Sequence, residues 1–101
     1  MPLVITYQDH RDVVQVICDY CGAAIRTAHD GNYQWPTAPF EDGSRQPLVF
    51  THKACCEAFE RAHADTGWSA MGLECLPYFL MQTLAVSWQT AQATARRMSQ
   101  R

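Results

Sequence analysis

The chain has 101 residues, of which 48% are hydrophobic and 18% are charged, and its formal net charge is −2. This composition indicates one globular domain and excludes a disordered or collagen-like chain, and the slightly acidic balance gives no general bias towards nucleic acid. A domain of this size buries roughly two thirds of the surface of its unfolded chain, so its core is expected to be thin.

The N-terminal part is predicted to form short antiparallel strands. The segments "LVITYQ" and "DVVQVIC" are rich in β-branched residues, and the polar "DHRD" between them favours a hairpin. "GAAIRT" is predicted as a further short strand. The "HDGN" that follows predicts a tight turn, after which "YQW" would return antiparallel to that strand.

The middle of the chain is predicted to contain a loop, a strand and a helix. "PTAPFEDGSRQP" has three prolines and little periodicity, which is typical of a surface loop. "LVFTH" is predicted as a strand that ends at His52. Good helix formers from Lys53 to Ala64 then predict a helix, with Gly67 as a natural stop.

The last part is predicted to form one long helix from about Leu76 to Met98, with Pro77 in its first turn. Apolar residues recur along it every three or four positions and form one stripe, which consists of Met81, Leu84, Trp88, Ala91, Ala95 and Met98. Two interpretations of this stripe stay open. It is either a core face packed on the sheet or the interface of a dimer.

The sequence predicts a soluble cytoplasmic protein without a membrane span. The N-terminus has neither a basic leader nor an apolar run of signal length, and polar residues interrupt the apolar segment "GLECLPYFLMQTLAVSW". In that compartment, an odd count of five cysteines favours metal ligands or free thiols over disulfides.

Two pairs of potential metal ligands share one spacing. "CDYCG" places Cys18 and Cys21 three residues apart and follows them with Gly22, which permits the tight turn of a zinc knuckle. "HKAC" repeats the spacing with His52 and Cys55 at the start of a helix, where both side chains share a face. Three thiolates and one imidazole make a closed tetrahedral set that suits one structural Zn²⁺ per chain.

This arrangement resembles the treble-clef class of zinc fingers. In that class a CxxC knuckle enters a β-hairpin, and a second ligand pair lies on the first turn of a helix. The resemblance covers about residues 14–63. It implies that Cys18 and Cys21 are the first ligand pair and His52 and Cys55 the second, although the insert between the pairs is long and a histidine replaces the first helix cysteine.

The other cysteines and histidines are predicted to have different roles. Cys56 also shares a helical face with His52, so it is an alternative fourth ligand, but the repeated spacing favours Cys55. Cys75 is predicted to be a packing residue. The remaining histidines, His10, His29 and His63, are predicted to be exposed and not to bind the metal.

Other cysteine chemistry fits the sequence less well. A thioredoxin-like site needs its CxxC at a helix N-terminus, and a zinc deaminase needs a His-x-Glu motif, whereas Gly22 follows this CxxC and "HKA" offers no glutamate. A nuclease related to treble clefs would use further ligands on the helix. Glu57, Glu60 and His63 are the candidates for that role.

We therefore expect an α+β fold of small antiparallel hairpins and two helices around one structural zinc. A single domain would span residues 1–101, with a zinc-binding core at 14–66 and a C-terminal helical extension at 69–101. The expected function is a non-enzymatic protein-interaction module, with no catalytic or cofactor-binding residues, that docks a protein partner or itself through the insert between the ligand pairs or through the long helix.

The alternative function is a small nucleic-acid-binding or regulatory zinc finger. It would use a set of basic residues to neutralise phosphates, namely Arg45, Lys53, Arg61, Arg96, Arg97 and Arg101. Its aromatic residues would stack on bases if they were exposed, although such residues more often fill a small core. An enzymatic, nuclease-like role is the third hypothesis.

Overall fold

The computed structural model describes residues 3–37 and 48–99. Most of the predicted loop, including Phe40 and Arg45, lies outside these ranges, as does Arg101. The described strands are β1 (Leu3–Gln8), β2 (Arg11–Ile17), β3 (Ala24–Ile25), β4 (Gly31–Pro36), β5 (Val49–His52) and β6 (Trp68–Gly72). The described helices are α1 (Lys53–Ala62), α2 (Leu76–Thr83) and α3 (Trp88–Ser99).

The described strands form two antiparallel sheets. One sheet has the order β1-β2-β3, and we call it the hairpin sheet. The other has the order β5-β4-β6, and we call it the central sheet. The mixed α and β architecture and the antiparallel pairing agree with the prediction. No helix within residues 3–37 and 48–99 has the length and hydropathy to cross a membrane.

The first hairpin is confirmed. β1 pairs with β2 from Leu3 opposite Val16 to Gln8 opposite Arg11, which leaves a turn of two residues. Those residues, Asp9 and His10, have φ angles of 49° and 65°. Two left-handed residues are the mark of a type I′ turn, whose twist matches that of the strands on either side.

The second predicted hairpin is wrong. β3 pairs with β2, whereas β4 pairs with β5 and β6, so the strands on either side of "HDGN" belong to different sheets. A short 3₁₀ turn at Ala28–Asp30 connects them, and Gly31 is extended with a φ of −123°. A Cβ at Gly31 would lie 2.8 Å from Ile25 and 2.9 Å from Leu73. This glycine therefore serves close packing and not a left-handed turn.

A small core joins the two sheets. The buried apolar residues of the main cluster are Cys18, Ile25, Tyr33, Phe50 and Leu73. Two polar residues of the central sheet, Gln34 and Thr51, are fully buried. Thr51 donates a hydrogen bond to Gln34 Oε1, and Gln34 Nε2 donates one to Glu60 on α1, so this polar pair is satisfied.

The long C-terminal helix of the prediction is two helices. α2 ends in a Schellman motif, in which Val86 donates its N–H to Met81 and Ala85 donates its N–H to Gln82. Ala85 has a φ of 53°. Ser87 then caps α3 by accepting a hydrogen bond from the Thr90 N–H at 3.1 Å.

The core interpretation of the apolar stripe is also wrong. No side chain of residues 88–98 is buried, and Trp88 and Met98 are 62% and 70% exposed. Within the described residues, α3 makes no extended contact with a sheet or with another helix. The second interpretation, a dimer interface, stays a prediction.

The Ala85 conformation gives a test of the break between α2 and α3. A side chain disfavours left-handed backbone, so Ala85→Gly is expected to stabilise the protein by about 0.5–1 kcal/mol. Ala58→Gly, in the middle of α1, is the matched control and should destabilise it by about 1 kcal/mol. Chemical denaturation of the two variants gives both values, and a loss of stability in Ala85→Gly would contradict a left-handed cap at this position.

Candidate metal centre

A tight turn after β2 presents the first pair of candidate ligands. The Cys18 N–H donates to the Ala23 carbonyl, and the Gly22 N–H donates to the Cys18 carbonyl, both at 2.9 Å. Gly22 has a φ of 80°, a region that favours glycine. The turn reverses the chain from β2 into β3 and leaves Cys18 buried and Cys21 exposed.

The junction of β5 and α1 presents the second pair. His52 is the last residue of β5 and the N-cap of α1, and its backbone is extended, with φ −61° and ψ 148°. Cys55 lies in the first turn of α1 and is half-buried. The strand that ends at His52 and the helix that starts after it are therefore as predicted, and together they place both side chains beside the Cys18 turn.

The structure brings the four predicted ligands together. One ligand atom each from Cys18, Cys21, His52 and Cys55 lies within 4.8 Å of the other three. Cys21 Sγ and His52 Nδ1 are 3.4 Å apart. Tetrahedral bonds of about 2.3 Å to sulfur and 2.0 Å to nitrogen would place the donor atoms about 3.5–3.8 Å apart, so this cluster can hold a metal ion with small adjustments.

The imidazole of His52 is oriented for metal binding. Its Nε2 atom is 3.2 Å from the carbonyl oxygen of Ala24, which can only accept, so Nε2–H is the donor. This leaves Nδ1 without a proton and directed towards the thiols. A backbone carbonyl that fixes the tautomer of a ligating histidine is a common outer contact of metal sites.

Hydrogen bonds favour the thiolate form of Cys18. Burial alone would raise the pKa of this thiol, but the backbone N–H groups of Cys21, His52 and Tyr20 oppose it and lower the pKa to about 6. The N–H groups of His52 and Cys21 lie 3.4 Å and 3.5 Å from Cys18 Sγ. The cluster thus contains a thiol that ionises readily.

Cys55 experiences the opposite effect. Burial raises the pKa of its thiol to about 11, and the neighbouring sulfurs of Cys18 and Cys21 add to the increase. A second and third negative charge are unfavourable in such a cluster when no cation balances them. A divalent cation would reverse this balance, because it deprotonates the thiols that coordinate it.

The candidate centre also connects the two sheets. Cys18 and Cys21 lie in the turn between β2 and β3 of the hairpin sheet, whereas His52 belongs to the central sheet and Cys55 to the helix after it. Asp19 strengthens the junction, because its N–H donates to the Phe50 carbonyl at 2.7 Å and its Oδ2 accepts the Phe50 N–H at 2.9 Å. This role of Asp19 was not predicted from the sequence, although an aspartate inside a turn is a frequent backbone partner.

The residues that were not predicted as ligands lie elsewhere. Cys56 is half-buried on α1 and does not belong to the cluster, and Cys75 is half-buried before α2. His10, His29 and His63 are exposed, as predicted. The His63 ring stacks on Phe59 with centroids 4.3 Å apart, and Trp68 packs edge-on against the same phenylalanine.

Comparison with known proteins adds no family to this description. The sequence matches no known protein family, no curated protein and no solved structure.

Gly22 offers a test of the first ligand turn. A Cβ at this position would meet no atom within 4 Å, so the effect of Gly22→Ala comes from backbone strain at φ 80° alone. We expect a loss of roughly 1–2 kcal/mol in the metal-loaded protein, measured by chemical denaturation. Gly67 is equally open but lacks a positive φ, so Gly67→Ala is the matched control and should not destabilise. Equal stabilities of the two variants would contradict the strained turn.

Proposed function

We propose that the protein is a non-enzymatic interaction module whose fold is held together by one structural Zn²⁺. The observation that carries this proposal is the convergence of three cysteines and one histidine from two sheets within 4.8 Å. Soft thiolates with one imidazole suit Zn²⁺ better than Mg²⁺ or Ca²⁺, which prefer oxygen ligands. The proposed ligands are Cys18, Cys21, His52 and Cys55.

A closed ligand set supports a structural and not a catalytic role. Catalytic zinc sites keep one position for water or substrate, whereas four protein donors fill a tetrahedral site. The cluster joins elements of both sheets, and its most buried ligand, Cys18, belongs to the core. Zinc at this position would stabilise the fold directly.

Two of the three helix residues considered for a nuclease-like site have structural partners. Glu60 accepts a hydrogen bond from Gln34 at 3.4 Å, and His63 Nδ1 lies 3.0 Å from the Phe59 carbonyl. In the part of the chain that the structure describes, the four-ligand cluster is the one group of potential ligands found. These contacts support a non-enzymatic role.

Nucleic-acid binding is supported less well. Lys53 lies 3.6 Å from Glu74, which partly neutralises its charge. Of the aromatic residues, Tyr33 is buried and stacks with Trp35, at a centroid distance of 5.5 Å. The alternative predicts binding to DNA or RNA that weakens steeply with salt, and an absence of binding at low salt would dispose of it.

X-ray absorption spectroscopy of the zinc-loaded protein tests the proposed site. We expect three sulfur neighbours at about 2.3 Å and one nitrogen at about 2.0–2.1 Å. His52→Ala should replace the nitrogen with a water oxygen or release the metal. A wild-type spectrum with a bound water in place of a protein donor would contradict the closed structural site.

A further inference from the structure

We infer that the protein forms a symmetric homodimer in which α3 of each chain lies in an apolar groove of the other chain. This inference rests on the interaction role proposed above and names the partner as a second copy. It is tested independently of the zinc site, since the surfaces involved lie on other residues.

The groove is bounded by the hairpin sheet on one side and by α2 on the other. It has a volume of about 370 Å³, and its apolar lining includes Leu3, Val16, Ile25, Leu73, Leu76 and Leu80. The side chains of Leu3 and Leu80 at its edge are 50% and 47% exposed. Cavities of about 150 Å³ hold a benzene molecule, so this groove has room for an indole ring and further aliphatic groups.

The apolar surface continues from the groove along the hairpin. Residues directly opposite each other in an antiparallel pair point to the same face, and Leu3 is opposite Val16 and Ile5 is opposite Val14. Farther along this face, Ile5, Tyr7 and Val14 are 63%, 71% and 65% exposed. One face of the hairpin thus starts in the core and extends outwards as uncovered apolar surface.

The C-terminal helix has the matching property. Trp88 and Met98 are 62% and 70% exposed and lie on one side of α3, and Leu84, which precedes the break before α3, is 68% exposed. A helix of 12 residues is marginal in water without tertiary packing. The helix therefore needs a surface to cover its apolar side, and its own chain does not supply one within the described residues.

The exposed area is sufficient for a stable dimer. The eight apolar residues of the groove edge, the hairpin face and the segment from Leu84 to Met98 named above are about 62% exposed on average. Complete burial of these residues would cover an area on the order of the roughly 800 Å² that one partner contributes to a standard interface.

A second copy covers both surfaces in one event. Among the described residues, each chain presents α3 and this groove as uncovered apolar surfaces, so a two-fold pair covers both surfaces on both chains. A different partner would need to present both a helix for the groove and a groove for the helix. The C-terminal helix follows the turn at Ala85, which allows it to extend away from its own chain.

Sedimentation equilibrium of the zinc-loaded full chain tests the dimer. We expect a mass of twice 11.4 kDa at micromolar concentration. Trp88→Glu should raise the dimer dissociation constant at least about 30-fold, because buried interface tryptophans contribute heavily to binding. The zinc content of the variant should stay unchanged, since Trp88 is not near the ligands in the sequence and is largely exposed.

Ala93→Glu is the matched control. It adds the same charge to the same helix, but Ala93 is exposed on the side away from the stripe, so the dimer should persist. A wild-type chain that stays monomeric at about 100 μM would overturn the inference, even if some other molecule or segment were found to cover the groove. Equal dissociation by both variants would overturn it as well.

Isotope-filtered NMR of a mixed sample locates the contact. When labelled and unlabelled chains are combined, we expect intermolecular cross-peaks between the Trp88 indole and the methyl groups of Leu3 and Val16. A dimer without these cross-peaks would overturn the exchange of α3. Cross-peaks found only within one chain would show that α3 covers its own groove, and would overturn the inference too.

Discussion

Removal of the metal with a strong chelator is expected to unfold the domain, and addition of Zn²⁺ is expected to restore it. Structural zinc in finger peptides provides on the order of 10 kcal/mol of apparent binding free energy at neutral pH. The whole stability of an ordinary domain is about 5–15 kcal/mol. Loss of the metal would therefore remove most of the free energy of folding.

The small core explains why the effect should be so large. Among the residues that the structure describes, the main buried apolar cluster has five members, and Cys18 is one of them. The two sheets share no strand, so besides this cluster they depend on local links such as the Asp19 contacts to Phe50. Without a metal, no cation would hold the clustered thiols and the His52 ring together.

Circular dichroism and two-dimensional NMR before and after chelation measure the effect. The matched control is the same chelator saturated with zinc, which should leave both spectra unchanged. We expect collapse of the dispersed amide signals in the metal-free sample and their return with one equivalent of Zn²⁺. A metal-free chain that keeps its dispersed spectrum would show that the packing alone specifies the fold.

Cys55→Ser is expected to lose tight metal binding, whereas Cys56→Ser is expected to keep it. The two cysteines are neighbours on α1 and are both half-buried, but Cys55 alone belongs to the four-ligand cluster. A serine hydroxyl is a far poorer zinc ligand than a thiolate, since the soft metal prefers sulfur. The pair is therefore a matched comparison at adjacent positions.

Competition of each variant with a coloured zinc chelator gives the affinities. Cys55→Ser should bind zinc at least about 100-fold more weakly than the wild type, which corresponds to a loss of roughly 2.7 kcal/mol of binding free energy. Thermal stability should fall in parallel, while Cys56→Ser should lose only the small contribution of its packing. The reverse order of the two affinities would assign the fourth ligand to Cys56.

The candidate site was predictable because its spacing encodes its geometry. Two residues three apart on a turn or on a first helical turn point the same way, so Cys18 with Cys21 and His52 with Cys55 each define half of a site. The strand ending at His52 was readable from "LVFTH". The hydrogen bond from the His52 ring to the Ala24 carbonyl could not be predicted, because every residue has a backbone carbonyl and the sequence does not show which one is used.

The errors in the fold came from signals that serve more than one purpose. Asp30 and Gly31 have the composition of a tight hairpin turn, but Gly31 is needed because Ile25 and Leu73 approach its backbone closely. The end of α2 has an alanine, Ala85, at the position where a Schellman motif usually has glycine. The end of this helix was therefore not predictable from the sequence. Strand β6 was missed because "WSAMG" lacks the alternation and the β-branched residues of a typical strand.

The apolar stripe shows where periodicity stops being informative. Spacings of three and four identify one side of a helix, and the stripe residues that belong to α3 do lie on one side of it, namely Trp88, Ala91, Ala95 and Met98. Periodicity does not say whether that side meets its own chain or another one. The exposure of Trp88 and Met98 removes the first interpretation and makes the second the subject of the dimer experiments.

The central claim, one structural zinc ion held by Cys18, Cys21, His52 and Cys55, is tested most directly by the metal content of the protein. Elemental analysis of the full chain, purified without added metal or chelator, should give one zinc per chain. Cys18→Ser, purified in the same way, should give far less. A wild-type protein that is folded and contains no stoichiometric metal would contradict the account and leave the cluster as a group of packed thiols.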